Sequence, residues 1–317
     1  MMKRAWLRSV VALSATLLTA SVTAAANPAL AEPADVAVRT LDSAAGVTDY
    51  WTPERMRAAT PLDQLLTSRA PTADVPAAGE PRTVPGVDAL AYPTSGEPWT
   101  GGGEVAATAG RVFFNFDGSP ASCSGNAVTS ANRSVVLTAG HCVKYQGSWH
   151  TDWIFVPGYD DGAAPFGEWA ASATLTTPQW EANEDINYDV GAAVVEPVGG
   201  RYLTDVVGGQ GVAFNQPRDQ DMYAFGYPAA DPYDGSTLIH CSGATFTDPL
   251  LSDDHGMRCD MTGGSSGGPW FLDFDEATGT GVQASVNSFG YSVLPGYMFG
   301  PYFGSDAQAL YEEAQSA

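Results

Sequence analysis

Basic residues are scarce in this sequence of 317 residues, in which 14 Lys and Arg stand against 36 Asp and Glu for a net charge of −22. Three of the basic residues, and none of the acids, lie within the first 31 positions. The rest of the chain therefore has 11 basic and 36 acidic side chains, a net charge of −25. This excess of negative charge disfavours nucleic acid and anionic membranes as partners.

Long apolar runs are scarce as well. One run, from Val10 to about Ala26, follows a basic N-terminus and precedes the small-x-small tripeptide Ala29-Leu30-Ala31. These features predict a secretory signal peptide over residues 1–31, cut after Ala31, with a membrane anchor as the alternative. No later stretch is apolar enough to span a bilayer, so we expect a secreted, extracellular protein without a membrane partner.

A glycine-rich stretch from Gly263 to Pro269 reads Gly-Gly-Ser-Ser-Gly-Gly-Pro. Glycine permits strained turns and close backbone approach, so this pattern indicates a backbone that presents a hydroxyl group beside amide N–H groups. A serine hydroxyl becomes a nucleophile only with a base to take its proton and donors to hold the oxyanion. Ser266 is the candidate nucleophile, and Ser265 is the competing one.

Two other segments offer a base and an acid. His141 follows Thr138-Ala139-Gly140, and Asp189 directly precedes the apolar run from Val190 to Val195, with Asp185 as the alternative acid. The chain order His, Asp, Ser excludes an α/β-hydrolase, whose His follows its Ser, and a subtilisin-like enzyme, whose Asp comes first. Surface or structural roles are expected for the other histidines, which are His150, His240 and His255.

Two of these segments resemble the signatures of a known family. Thr138 to Cys142 closely matches the histidine signature of the trypsin/chymotrypsin superfamily of serine proteases. Gly264 to Pro269 matches its serine signature except at Ser265, where Asp is usual. The chain resembles this superfamily over about residues 99–317, and is most similar to its secreted bacterial trypsin-like and glutamyl-endopeptidase-like branch.

The resemblance implies an all-β fold with two antiparallel β-barrels, about residues 99–200 and 201–304, and the active site between them. His141 would serve as general base and then general acid, Asp189 would orient the imidazole, and Ser266 would attack the peptide carbonyl. The backbone N–H groups of Gly264 and Ser266 would form the oxyanion hole. We therefore expect a monomeric serine endopeptidase with polypeptide substrates and no cofactor.

Three other functions stay open. The chain could be a catalytically silent binding protein on the same fold, a glutamyl-type endopeptidase, or an esterase that uses the same triad. Reactivity towards a fluorophosphonate probe and the turnover of peptides and esters would separate these alternatives.

Substrate preference depends on the residues around the serine. Asp260, six residues before Ser266, stands where trypsin-like enzymes keep the acid that binds Arg or Lys, although the cysteine before it departs from their layout and leaves a surface role open. The opposite wall of the pocket would be Ser288-Phe289-Gly290. Glutamate-preferring relatives use a histidine at that wall, and this chain has none after His255, although Arg258 could supply a cation.

Residues 32–98 contain no cysteine and are rich in Ala, Pro and Thr. They are predicted to be a propeptide or linker with a short helix from Pro53 to Leu66 and a maturation cut between residues 80 and 100; a permanently attached arm is the alternative. Ser265 replaces the Asp that receives the new N-terminal ammonium in many animal relatives. Since serine cannot form that ion pair, activation is predicted to remove a steric propeptide instead.

Only four cysteines are present, and an even number in an oxidising compartment suggests disulfides. Three pairings are possible, and we favour Cys123–Cys142 and Cys241–Cys259 because each pair flanks one half of the proposed site. Zinc is the alternative use of these residues. No Cys-x-x-Cys, His-Glu-x-x-His or EF-hand spacing is present, so no metal site is predicted. The acidic turns Asp160-Asp161-Gly162 and Asp253-Asp254 are expected to be solvated, with calcium binding as the alternative.

Short apolar stretches bounded by Gly, Pro, Asn and Asp predict antiparallel strands from Trp99 onward. The first group comprises residues 103–108, 110–116, 124–129, 134–137, 153–157, 170–176 and 190–195. The second group comprises residues 211–214, 221–226, 237–241, 268–272 and 281–289. Beyond them only Ser305 to Glu313 is expected to be helical, with Ser305 as its cap.

Overall fold

The computed structural model describes residues 35–41, 46–65, 79–83 and 94–317. The predicted signal peptide and its cleavage after Ala31 lie outside these residues. The strands are β1 (Ala37–Thr40), β2 (Thr60–Pro61), β3 (Arg82–Thr83), β4 (Thr94–Pro98), β5 (Ala109–Phe116), β6 (Ser119–Ala127), β7 (Val135–Thr138), β8 (Lys144–Tyr145), β9 (Ser148–Trp149), β10 (Thr151–Pro157), β11 (Trp169–Thr176), β12 (Gly191–Val195), β13 (Gly211–Phe214), β14 (Asp221–Gly226), β15 (Ile239–Ala244), β16 (Phe246–Thr247), β17 (His255–Arg258), β18 (Pro269–Asp275), β19 (Thr280–Val286) and β20 (Tyr297–Gly300). The helices are α1 (Val47–Tyr50), α2 (Pro53–Ala58), α3 (Leu62–Leu65), α4 (Val105–Thr108), α5 (Pro178–Asn183), α6 (Leu203–Val207) and α7 (Ser305–Ser316).

Six antiparallel strands close into a barrel within residues 109–195. β5 pairs with β6 and β10, β12 pairs with β7 and β11, and the pairs β6–β7 and β10–β11 complete the ring. Val112 and Phe114 belong to one buried cluster, whereas Phe113 between them belongs to another. This alternation follows from the strand geometry, in which successive side chains point to opposite faces.

The second half contains a seven-stranded sheet in the order β3-β13-β19-β18-β14-β15-β4 and a three-stranded sheet in the order β16-β17-β20. Its pairs are antiparallel except β13–β19, which is parallel. Met257, Trp270 and Leu272 belong to the buried cluster of this half. β13, β14, β15, β18 and β19 belong to the second predicted group, whereas the edge strands β3 and β4 come from the predicted propeptide and were not expected in this sheet. The expected all-β fold class is confirmed.

The C-terminal helix α7 packs on the first barrel. Leu310, Tyr311 and Ala314 are buried in the same apolar cluster as the barrel side chains, and Tyr311 Oη donates a 2.6 Å hydrogen bond to the carbonyl of Thr129. The helix was expected to begin with Ser305 as its cap, but the capping position is Gly304, whose missing side chain offers no capping oxygen. The helix is therefore stabilised by its buried face.

The segment before residue 66 is also part of the fold. β1 pairs with β11 in antiparallel register, and β2 pairs with β6 in parallel register. The helix predicted from Pro53 to Leu66 is interrupted, because α2 ends at Ala58 and Thr60–Pro61 is extended before α3. Proline has no N–H for a helical hydrogen bond and drives the residue before it into an extended conformation.

One predicted strand is wrong. Residues 103–108 contain the short helix α4 instead, and the N–H of Val105 donates to the carbonyl of Gly279 at 2.8 Å. A short run of small apolar residues has no clear period, so its conformation depends on the elements it packs against. Within the described parts of the chain, no helix combines the length and hydropathy needed to cross a bilayer.

Candidate active site

The glycine-rich stretch forms a tight loop between β17 and β18. Gly264 and Gly267 have φ values of +97° and +82°, a region that residues with a Cβ rarely adopt. At Gly268 a Cβ atom would lie 2.0 Å from the carbonyl oxygen of Phe225. The glycines therefore allow close backbone contacts that fix the position of Ser266.

The side chain and backbone of Asn287 hold this loop in place through hydrogen bonds. Its Nδ2 donates hydrogen bonds to the carbonyls of Phe225 and Ser265 at 2.8 and 3.0 Å, and its Oδ1 accepts one from Trp270 Nε1 at 2.7 Å. Its backbone carbonyl accepts the N–H of Gly267 at 2.7 Å. Asn287 is fully buried, so both sides of its amide are satisfied inside the protein and its orientation is fixed.

Ser124 of β6 joins the loop to the first barrel. Its N–H donates to the carbonyl of Ser266 at 2.7 Å, and its Oγ donates to the carbonyl of Gly264 at 2.9 Å. The same Oγ accepts the N–H of Tyr227 at 2.9 Å, and the carbonyl of Ser124 accepts Thr138 Oγ1 at 2.8 Å. The serine loop is thus tied to β6 of the first barrel through Ser124, while Asn287 ties it to Phe225 of β14.

The structure brings His141 and Asp189 together. His141 lies on the 3-10 turn Gly140–Cys142, which follows β7. Its N–H donates to Asp189 Oδ1 at 2.7 Å, and its Nδ1 lies 2.6 Å from Asp189 Oδ2. Asp185, the alternative acid, accepts the N–H of Asn187 at 3.2 Å and caps the next 3-10 turn. Of the two candidate acids, Asp189 is the one in hydrogen-bond contact with the imidazole of His141.

Ser288 contacts the same carboxylate. Sequence analysis placed this residue in a wall of the substrate pocket, but its hydroxyl donates to Asp189 Oδ2 at 2.5 Å. Asp189 is fully buried, and its two oxygens receive donors from His141 and Ser288. A buried carboxylate needs hydrogen-bond donors, so Ser288 helps to fix the position of the carboxylate that faces the imidazole.

Burial lowers the pKa of His141, but the charge and hydrogen bond of Asp189 and the charge of Asp63 outweigh this effect and raise the pKa above 6.5. The Nδ1 side of the ring faces Asp189, so proton exchange with a substrate would use Nε2. Nε2 is buried and has no hydrogen-bond partner within the described ranges. The imidazole therefore has the orientation of a base whose second nitrogen is available.

His150 supports the backbone beside His141, as expected for a structural histidine. Its Nε2 lies 2.8 Å from the carbonyl of His141, and its ring stacks on Phe114 with the centroids 4.2 Å apart. Burial lowers the pKa of His150 to about 3. A neutral imidazole donates to the carbonyl, so this residue positions the turn without adding charge.

Sequence analysis missed one residue, Asp63, that contacts all three parts of the site. Asp63 Oδ1 accepts the hydroxyl of Ser266 at 2.8 Å, and Asp63 Oδ2 accepts the N–H of Gly264 at 2.9 Å. The same Oδ1 lies 3.8 Å from His141 Nε2. A lone Asp in so acidic a chain has no local sequence pattern that could have signalled this contact.

Two disulfides flank the site. Cys123–Cys142, with an S–S length of 2.08 Å, joins β6 to the turn that carries His141. Cys241–Cys259, with an S–S length of 2.05 Å, joins β15 to the segment after β17. These are the two pairs that the sequence favoured, and each one anchors a segment that leads into the site.

Possible metal ligands cluster at one place in the described chain. Cys123, His141 and Cys142 have ligand atoms within 4.8 Å of one another. Both sulfur atoms belong to a disulfide, and thiolate is the form of cysteine that binds metal ions. The imidazole Nδ1 is already bonded to Asp189, so this cluster is not suited to hold a metal.

Asp260 lies at the surface beside β4. Its Oδ1 accepts a 2.7 Å hydrogen bond from Tyr233 Oη and occupies the space that a side chain at Gly96 would fill. Tyr233 Oη also lies 3.2 Å from the carbonyl oxygen of Gly96. Phe289 of the predicted opposite wall stacks on Phe299 with centroids 5.3 Å apart.

Comparison with solved structures identifies the family. The chain is 45% identical to protease Anisep from Arthrobacter nicotinovorans, with a TM-score of 0.64 over 67% of this chain and 96% of that one. It is 44% identical to AL20, a thermostable serine protease from an extremophilic microorganism, with a TM-score of 0.64 over 68% of this chain and 99% of that one. The chain belongs to the trypsin/chymotrypsin superfamily of serine proteases.

A Glu endopeptidase shares the fold at 18% identity, with a TM-score of 0.56 over 71% of this chain and 98% of that one. No protein-family model and no curated protein matches the sequence.

Proposed function

We propose that this protein is a secreted serine endopeptidase in which Ser266 is the nucleophile, His141 the base and Asp189 the orienting acid. The observation that carries this proposal is the convergence of three groups on one carboxylate. The Ser266 hydroxyl, the Gly264 N–H and His141 Nε2 all face the oxygens of Asp63. A nucleophile, an oxyanion donor and a base must meet at one point in acyl transfer.

The reaction would begin with transfer of the Ser266 hydroxyl proton to His141 Nε2 as Oγ attacks the peptide carbonyl carbon. The N–H groups of Gly264 and Ser266 would stabilise the oxyanion, and the charge of Asp189 would stabilise the imidazolium. His141 would return the proton to the leaving amine as the C–N bond breaks. Water would then release the acyl group from Oγ by the same steps in reverse order.

Labelling with a fluorophosphonate probe tests these roles in the processed protein. We expect label on Ser266, with Ser266→Ala and His141→Ala each abolishing both labelling and peptide hydrolysis. Ser265→Ala is the matched control, because this neighbouring hydroxyl donates to the carbonyl of Thr262 at 2.8 Å and should leave labelling intact. Label retained in Ser266→Ala would reject the assignment. Turnover of esters without turnover of peptides would instead favour an esterase.

The domain arrangement proposed from the sequence is a signal peptide at 1–31, a propeptide at 32–98 and a protease region at 99–317. The matches to Anisep and AL20 support it, since they span 67–68% of this chain but 96–99% of those proteins. We expect a secreted protein whose mature N-terminus lies between residues 80 and 100, which N-terminal sequencing of the secreted form would establish. A mature chain that begins at residue 32 would reject the propeptide.

Cleavage after basic residues is the proposed preference, with Asp260 as the acid that binds them. Asp260 is exposed and accepts its hydrogen bond from the neutral hydroxyl of Tyr233, so a basic side chain of a substrate could reach its carboxylate. Peptide-library profiling of the processed protein tests this. Asp260→Ser should remove a preference for Arg or Lys while probe labelling of Ser266 stays unchanged. A preference for Glu would favour the glutamyl-type alternative, for which Arg258 is the candidate cation.

A further inference from the structure

The segment from residue 46 to 65 reaches the active site along a path of buried side chains. Trp51, Met56 and Leu62 are at most 1% exposed. Trp51 Nε1 donates to the carbonyl of Asp152 at 2.7 Å. Leu62 lies in the apolar cluster of the first barrel, next in sequence to the pairing of β2 with β6. Side-chain anchors therefore hold this segment directly before Asp63.

Asp63 lies where a group that blocks the active site would have to lie, in contact with both the nucleophile and an oxyanion donor. The Ser266 hydroxyl donates to Asp63 Oδ1 at 2.8 Å, with a longer contact of 3.5 Å to the carbonyl of Ser288, whereas His141 Nε2 has no hydrogen-bond partner among the described residues. The Gly264 N–H, which would hold the oxyanion, is occupied by Asp63 Oδ2. The nucleophile and one oxyanion donor are thus both engaged by a single carboxylate.

The segment can occupy the site without being consumed. A carboxylate carbon is a poor electrophile, since its negative charge repels the attacking oxygen and it has no amine to expel. The Ser266 hydroxyl and the Gly264 N–H are bonded to the side chain of Asp63 and not to a backbone carbonyl of the segment. Charge-assisted hydrogen bonds to a carboxylate are also stronger than those to a neutral carbonyl, which favours this occupant.

We propose that residues 46–65 form an autoinhibitory segment in which the Asp63 carboxylate occupies the active site of the precursor. This inference rests on the proposed function and defines what activation must remove. The segment is held at the site by side-chain contacts as well as by its covalent link to the protease region. A separate peptide of residues 46–65 is therefore expected to inhibit the processed enzyme.

Fluorophosphonate labelling of the intact full chain tests the proposal, with intact mass confirming that the labelled chain is uncut. We expect Asp63→Ala to label roughly 10-fold faster than the wild type or more, because two charge-assisted hydrogen bonds are lost. Asp63→Asn should also label faster, since its amide cannot accept both the Ser266 hydroxyl and the Gly264 N–H. Asp49→Ala is the matched control, because it removes an exposed acid of the same segment that lies in α1.

The peptide of residues 46–65 provides a second measurement that does not depend on how the variants fold. Wild-type peptide should inhibit hydrolysis by the processed enzyme, and the Asp63→Asn peptide should inhibit at least roughly 10-fold less strongly. Equal labelling rates for the intact wild type and Asp63→Ala would overturn the inhibitory role while leaving the protease assignment in place. Failure of the processed enzyme itself to label would overturn both.

Discussion

The catalytic loops and the N-terminal segment are held in place by different means. Around Ser266 and His141, positions are fixed by backbone hydrogen bonds, left-handed glycines and two disulfides. Residues 46–65 are held mainly by a few buried side chains and one carboxylate, with the two-residue pairing of β2 with β6 as their short backbone restraint. The first kind of restraint persists through each turnover, whereas the second can be lost as a unit when the segment leaves. The loops that must keep their position during catalysis and the segment that must leave before it are therefore stabilised by different interactions.

The largest effect on kcat should come from replacing Asp189, which holds the imidazole of His141 in place. In the processed enzyme, Asp189→Asn should lower kcat by about 10⁴-fold, because an amide nitrogen facing Nδ1 would favour the wrong tautomer of His141. Asp185→Asn is the matched control, since Asp185 caps the neighbouring turn and does not face the ring. Steady-state peptide hydrolysis measures both variants. Comparable losses in the two would contradict the assignment of the acid.

A smaller loss should follow from disturbing the glycine loop. Gly264→Ala places a Cβ 3.0 Å from the carbonyl oxygen of Tyr227 in a backbone with φ of +97°, so the N–H at 264 should move. Removal of one oxyanion donor typically costs about 10²–10³ in kcat. Gly147→Ala has a similar φ of +79° with no atom within 4 Å and should leave kcat unchanged. Equal effects would show that backbone strain alone is responsible.

The anchors of the N-terminal segment should have a moderate effect. Leu62→Ala in the full chain removes a fully buried side chain at a cost of roughly 2 kcal/mol or more, which corresponds to about 30-fold in the population of the displaced segment. Hydrogen exchange across residues 46–65 measures that population. Val38→Ala, at a residue that is 45% exposed, is the control and should change it little. Unchanged exchange in Leu62→Ala would mean that Asp63 alone holds the segment.

The smallest expected change is in the titration of His141. Because the charge of Asp63 raises the pKa of His141, Asp63→Asn should lower that pKa, and histidine-ring NMR would follow it. The charged groups that face the ring are Asp189 and Asp63, while burial keeps His150 neutral with a pKa of about 3. An unchanged or higher pKa in the variant would contradict the contact.

The same raised pKa gives a pH dependence of stability with a definite sign. The interaction of protonated His141 with Asp189 and Asp63 contributes fully below the unfolded pKa of 6.5, and is lost as the pH rises through the higher folded pKa. The difference in unfolding free energy between the wild type and Asp63→Asn should therefore decrease as the pH rises from 6.5 through the folded pKa of His141. Docking of the segment is correspondingly favoured on the acidic side.

The sequence pointed to Ser266 and His141 as candidate catalytic residues because such chemistry requires short local patterns. Glycines around Ser266 and the strand before His141 can be recognised within a few residues. Asp63 and Ser266 are separated by 203 positions, and Ser288 and Asp189 by 99, so neither contact has a local pattern. The all-β class followed from apolar stretches of strand length, while α4 depended on packing that no short window contains.

The hydrogen bonds of Ser124 have a consequence for how the cleft works. The N–H and Oγ of Ser124 donate hydrogen bonds to the backbone carbonyls on both sides of Ser265, and the same Oγ accepts the N–H of Tyr227. Sliding or hinging of one half against the other would break all three bonds at once. We therefore expect substrate to enter when the N-terminal segment leaves the cleft, without a movement of the two halves apart.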